Sequence, residues 1–240
     1  MILAQVWTEV LWYRAIGYLP VLTTEWLTRG VLFLLGFVIM GAAVFAALAV
    51  AYRSRPIYAP STPEQASLDQ YREMIEPLRR LVMIAGPAVL GFFAGSAASA
   101  QWKEVQLFLH GGSFGSTDAQ WGLDLSFYVF DLPVLRFVVS FLFAVAIIAG
   151  IAGLATHYLY GGLRLGQGPG ERTTRPARIQ LGVTAAVFML LLGANYWLDR
   201  YSLLTANGET IKGGASFADI NAVMPAKAIL TGVAILVAGT

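Results

Sequence analysis

Two carboxylates, Asp124 and Asp131, stand seven residues apart in WGLDLSFYVFDLPVLRF, residues 121–137. On a helix this spacing places them on one face, with Tyr128 between them. Such a face can hold a cation or work as an acid–base pair. Further along, YWLDRY supplies Asp199 and Arg200, and ADINAVMPAK supplies Asp219. Asp124, Asp199, Arg200 and Asp219 make a candidate polar cluster, provided that the fold brings them together.

Other chemistries find less support. The two histidines, His110 and His157, belong to no HExxH or comparable metal pattern. His157 sits in an apolar run, where an ionisable group costs energy and is often functional, but close enough to its end for a plain hydrogen-bonded role. There is no cysteine, which excludes disulfides, thiolate nucleophiles and Cys-based metal sites. The glycines of GGLRLGQGPGERTTRPAR, residues 161–178, lack the GxxxxGK[ST] of a phosphate loop and fit a flexible basic linker better. No metal or cofactor is implied.

The elements that must position these residues are membrane helices. The chain is 57% hydrophobic and 12% charged, with a mean hydropathy of +0.65. A soluble domain carries about twice that charge. A span needs roughly 20 mostly apolar residues. Four complete runs are read, at about 27–52, 81–100, 133–160 and 179–198. A fifth opens after Lys227 and reaches Thr240 after 13 residues, which reads as the truncated start of another, 228–240. The expectation is an all-α, polytopic transmembrane bundle in a lipid bilayer, as a fragment of a longer chain.

Basic residues give the orientation. Residues 53–80 and 161–178 carry nine Lys and Arg in 46 positions, whereas 101–136 and 199–227 carry five in 65. The positive-inside rule puts the first pair of loops in the cytoplasm and the second pair outside. The net charge of +2 follows these topology signals, and no nucleic-acid partner is expected. Within loop 53–80, Thr62, Pro63 and Gln65 have the pattern of a capped helix start, followed by Leu68, Tyr71 and Ile75 at helical spacing. A short amphipathic surface helix is predicted there.

Two further assignments are structural. Pro87, Gly91, Gly95 and Ser99 recur at every fourth position, a stripe of small residues that lets helices approach closely, so Gly91 and Gly95 are predicted packing positions. Asp131 stands two residues before Pro133 at the start of an apolar helix, where an N-cap aspartate accepts backbone N–H bonds and favours the positive dipole end. Trp121, Phe127, Tyr128 and Phe130 suit an interfacial belt. Asp124 has no such structural assignment and stays open to function.

LFLHGG, DLSFYVFDLP, YWLDRY, DINAVMPAK and, near the start, LWYRAIGY together resemble UPF0182, a family of bacterial integral membrane proteins found in actinobacteria and cyanobacteria. The resemblance covers nearly the whole chain. One local departure is Asp118-Ala119-Gln120-Trp121, where the family commonly has an Asp-Pro pair and a Phe. The resemblance implies a longer protein, with a span upstream, more spans downstream and a large extracytoplasmic region. It carries over no catalytic residues.

The function expected is therefore a membrane anchor or scaffold for an extracytoplasmic region in the cell envelope, in contact with the remaining spans of its own chain. A transporter or channel is the alternative, although no carboxylate lies inside a complete span. An outer-face enzyme acting on a lipid-linked substrate is the third reading. It requires Asp124, Asp131, Asp199 and Asp219 to converge with a basic residue around a pocket.

Overall fold

The computed structural model describes residues 2–55, 77, 79–163, 173–205 and 214–240. The amphipathic helix expected around residues 62–76 and most of the basic linker lie outside the described residues. Seven α-helices are seen: α1 (Ile2–Ala15), α2 (Leu19–Arg53), α3 (Arg79–Ala100), α4 (Trp102–His110), α5 (Leu132–Leu159), α6 (Arg175–Ser202) and α7 (Met224–Ala238). Among the described residues, five helical stretches are long and apolar enough to cross a membrane: Leu19–Arg53, Arg80–Ala100, Phe127–Leu159, Arg175–Thr205 and Asp219–Ala238. The chain is a polytopic transmembrane helical bundle, with no strand among the described residues beyond two isolated bridges. The fifth stretch has 20 residues rather than 13, because helix forms before the uncharged run opens and takes in Asp219 and Lys227.

Neighbours follow from the contacts: α3 packs on α2, α2 on α5, α5 on α6, and α6 on α7. Outward faces stay apolar, with Leu34, Leu35, Val38, Ile39 and Phe93 exposed. In a bilayer the lipid covers them, so burial supplies little drive between helices, and close packing and polar contacts decide who pairs with whom. The α2–α3 contact shows the first route. An added Cβ at Gly95 would stand 2.6 Å from the Phe33 carbonyl oxygen, and one at Gly91 2.8 Å from that of Phe37. Gly36 returns the fit, its missing Cβ falling 2.9 Å from Ala98 Cβ. Backbone therefore meets backbone along this seam, and no larger side chain fits there.

α5 and α7 begin in the same way. Each opens with two ordinary helical residues, continues into a five-residue π turn (Phe127–Asp131 and Asp219–Val223), and has a proline, Pro133 or Pro225, two residues after that turn. A proline inside a helix lacks an N–H and its ring crowds the carbonyl four residues back. For these prolines that carbonyl belongs to Val129 or Asn221, inside the π turn. The widened turn takes up both deficits: the amide of Leu132 bonds back five residues to Phe127, and that of Met224 to Asp219. Counting from the preceding cap residue, Asp124 or Ser216, the two helices share one register.

This corrects the assignment of Asp131 as the cap. Its backbone is already α-helical and its side chain makes no capping bond, because the helix starts at Leu125 and runs through it. The capping carboxylate belongs to Asp124, which accepts the Ser126 N–H at 2.8 Å.

Candidate functional site

The polar groups gather at two ends of the bundle. One end holds the loop 111–126, the outer turns of α5 to α7 and the tryptophans Trp102, Trp121 and Trp197. The other holds Arg53, Arg55, Arg175 and Arg178.

At the tryptophan end, Asp124 fastens a loop. Besides the Ser126 N–H, its carboxylate accepts the Ser113 hydroxyl and the N–H groups of Phe114 and Gly115, both at 3.0 Å. The Ser113 hydroxyl, and after it the Ser126 and Phe114 amides, hold this carboxyl well below the usual carboxylate range. Gly115 sits at φ +69, which glycine adopts without strain. Asp118 organises the next turn. One oxygen accepts the N–H of Gln120 at 2.8 Å and of Trp121 at 2.6 Å. The other accepts the Leu123 N–H at 2.9 Å and the Tyr128 hydroxyl at 3.0 Å. Burial pushes the Asp118 carboxyl up, and these four donors together outweigh it, so it too lies below the usual range. The turn is thus closed by aspartate and backbone, with Ala119 following Asp118.

Asp219 does a third local task. Its carboxylate accepts the Ser216 N–H at 2.8 Å, and its own N–H reaches the Ser216 hydroxyl at 3.2 Å, a reciprocal capping box that opens α7.

Asp199 works between helices. It accepts Arg136 of α5 at 2.7 Å and Lys227 of α7 at 2.6 Å, so one carboxylate of α6 draws both neighbours together. Arg136 also donates to the Ser202 hydroxyl. Arg200, the next residue, turns to other partners. Its guanidinium lies 4.4 Å from the Trp197 ring centre and 4.7 Å from that of Trp121. Trp121 in turn meets Tyr201 at 5.3 Å. The Arg200 Nε and Trp121 Nε1 are buried without a hydrogen-bond partner, so cation–π attraction is what holds this stack.

The expected cluster thus divides. Asp124 and Asp219 are consumed by their own loop and cap, Asp199 by a two-cation clamp, and Arg200 by tryptophans. Among the described residues, no hydrogen bond or ion pair joins these three aspartates, and no group of three His, Asp or Glu stands ready for a metal. Asp118, Tyr128 and Lys227 are the residues that sequence reasoning missed here. Asp118 had a signal, since aspartate two residues before a free backbone amide commonly closes a turn. The Arg136–Asp199–Lys227 clamp had only a coarse one, the expected placement of residues 101–136 and 199–227 on one side of the membrane, because its partners are 63 and 28 residues apart.

At the arginine end the main polar contact is a buried knot. His157 is 1% exposed, and its Nε2 lies 2.9 Å from Gln180 Oε1. Gln180 Nε2 donates to the Ala47 carbonyl at 3.0 Å, which joins α2, α5 and α6. An added Cβ at Gly153 would fall 2.7 Å from that Nε2, so glycine makes room for the bond.

A cleft of about 490 Å³ opens at the tryptophan end between the starts of α5 and α7. Asp118, Tyr128, Val129, Leu204, Ala215 and Ile220 are among its lining residues. Tyr128 and Ile220 hold the same position, fourth after the cap, in the two matching helix starts.

The comparisons with known proteins agree over the whole length. The model of the uncharacterised protein family UPF0182 matches residues 1–240. A UPF0182 protein of Arthrobacter sp. (strain FB24) is 50% identical over 236 residues, covering 98% of this chain and 23% of that protein. One from Kineococcus radiotolerans is 49% identical, again over 98% of this chain and 23% of the relative, and one from Paenarthrobacter aurescens is 48% identical over the same shares. The chain therefore spans about a quarter of the length of the curated relatives it matches. No solved structure matches it. With a matching family model from end to end and relatives at half identity, the chain belongs to the uncharacterised protein family UPF0182.

Proposed function

We propose that this bundle anchors and supports the rest of a longer chain, with its tryptophan end outside the cytoplasm of a bacterial cell and shaped as a rigid platform for an extracytoplasmic part. The observation that carries this reading is the use made of the carboxylates. Asp118, Asp124 and Asp219 spend their oxygens on loop and cap hydrogen bonds, and Asp199 spends its two on neighbouring helices. Such groups fix a shape. They leave no free acid beside a free base, as hydrolysis of a lipid-linked substrate would need. The excess of basic residues at the other end supports the orientation. The chain's share of its relatives' length leaves ample protein to be carried.

Transport draws less support. The buried polar side chains among the described residues are His157 and Thr231, each bonded to a neighbouring helix. The test uses the full-length protein in intact cells. A cysteine pair at Gln120 and Met224, whose side chains meet at 3.9 Å, is introduced with any cysteine elsewhere in the full-length protein replaced, and joined by a short bifunctional thiol reagent. The expected result is rapid cross-linking, together with labelling of Ser113→Cys by a membrane-impermeant thiol reagent added outside. Labelling of Ser113→Cys only after the membrane is opened would reverse the orientation. Failure of the pair to cross-link would remove the platform.

A further inference from the structure

The cleft between the two matching helix starts has features that loop packing does not explain. Two π turns face it, one from each side. π turns are rare, interrupt the regular bonding of a helix, and occur frequently at functional sites. Here both place their second residue, Tyr128 and Ile220, in its lining. The volume falls within the range of about 300–1,000 Å³ typical of small-molecule sites.

The lining decides the class of occupant. Leu125, Val129, Leu204, Ala215 and Ile220 are apolar. The single charge is Asp118, and both its oxygens already accept two hydrogen bonds each. A cationic or anionic group would find no free partner of opposite sign there, whereas hydrocarbon would displace water from apolar walls. The surroundings supply hydrocarbon. Val129 and Ile220 belong to the membrane-crossing stretches Phe127–Leu159 and Asp219–Ala238. Leu125 and Val129 are 41% and 50% exposed, so the apolar wall continues onto the exposed surface, while Gln120 and Thr205 add neutral polar groups to the lining.

We infer that this cleft binds the hydrocarbon chain of a membrane lipid, held between the π turns of α5 and α7 where the bundle meets the headgroup layer. Tyr128, whose hydroxyl hydrogen is committed to Asp118, closes the polar end and keeps an oxygen lone pair for a neutral donor of the lipid. The inference does not depend on the anchoring role or on orientation.

The test places the full-length protein in nanodiscs of phosphatidylglycerol and phosphatidylcholine containing a phosphatidylglycerol with a photoactivatable diazirine in its acyl chain. After irradiation, adducts are mapped by mass spectrometry. The expected adducts concentrate on Val129, Leu204 and Ile220, above the level at Leu35 and Ile39 on the open lipid-facing side of α2. Filling the cleft by Ala215→Phe or, separately, Val129→Trp should lower the remaining cleft adducts about fivefold, with adducts at Leu35 and Ile39 unchanged. The unchanged α2 adducts report that each variant is folded. Cleft adducts no more frequent than those at Leu35 and Ile39 in the wild-type protein overturn the proposal. So do cleft adducts that survive both filling substitutions. Cross-links from the cleft to residues 206–213 or to a second copy, with no lipid adduct, would assign the cleft to protein and overturn it equally.

Discussion

The α2–α3 seam and the α5–α6–α7 junction solve one problem in opposite ways. Both must hold helices together in a solvent as apolar as their own side chains. The seam does it by removing side chains, so that Gly36, Gly91 and Gly95 let backbones touch. The junction does it with charge, setting Asp199 between Arg136 and Lys227 at the tryptophan end. Both join consecutive spans, the first through shape and the second through electrostatics. A contact made by shape should resist salt and fail at one added methylene, whereas a contact made by charge should behave the other way.

The largest effect is expected at the seam. Gly95→Leu pushes a side chain into the Phe33 carbonyl and should cost ~3 kcal/mol or more, read as loss of folded protein in a detergent-scanning thermal melt. Gly86→Leu is the control, since nothing lies within 4 Å of its missing Cβ. Equal damage from both would show that the seam tolerates bulk and that the comparison is mistaken.

Asp199→Ala comes next. It leaves Arg136 and Lys227 facing one another without an anion. Full burial would make this cost 3–5 kcal/mol, but the Arg136 side chain is 40% exposed, so about 1–3 kcal/mol is expected. The wild-type clamp should also weaken as salt rises from 0.05 to 0.5 M, in the same melt, while the Gly95 contact does not respond. A salt-insensitive clamp would mean that packing, not charge, holds the junction.

Between the two regions stands Gln180. Gln180→Leu strands the His157 Nε2 and the Ala47 carbonyl in a buried place and should cost ~1–2 kcal/mol. Slower hydrogen exchange or unaltered melting would show that neither group depended on it.

The smallest effect concerns pH and only the tryptophan end. Asp118 is held below its ordinary pKa in the folded loop. A carboxyl depressed by folding contributes stability that is complete above its unfolded pKa, about 4, and is lost as pH falls through the lower folded value. Hydrogen exchange of the Gln120, Trp121 and Leu123 amides, corrected for intrinsic rates, should therefore report loosening below about pH 4. Asp118→Asn should abolish that dependence and loosen the loop at every pH. The α2–α3 seam, where Gly91 and Gly95 meet Phe37 and Phe33, serves as the internal reference, with no matching change expected at Gly91.

Much of this architecture is legible in the sequence, because lipid leaves a long apolar signature. The spans and the small-residue stripe at Gly91 and Gly95 each follow from one segment at a time. What escapes is whatever depends on two segments. Asp199 reads as a charge at the water's edge, and only the fold supplies Arg136 and Lys227. Gln180 reads as one more polar residue near a helix start, and only the approach of Ala47 and His157 gives it a task. Asp131 misleads for a different reason. Aspartate before proline is a sound helix-start signal, yet here Pro133 is tolerated inside a helix that began at Leu125, and the cap belongs to Asp124.

A π turn is equivalent to a single-residue insertion, and this gives the two matching helix starts a testable history of length. Deleting one residue from Phe127–Asp131 would restore an unbroken α-helical register and turn everything upstream by about 100° relative to α5. Yet Pro133 would then press on the carbonyl four residues before it. Neither the deletion nor Pro133→Ala alone removes the mismatch between register and ring, whereas the two together do. The same pairing should hold for Asp219–Val223 and Pro225. Across the family, then, length and proline at these two places should vary together, and relatives in which they vary independently would break the pairing.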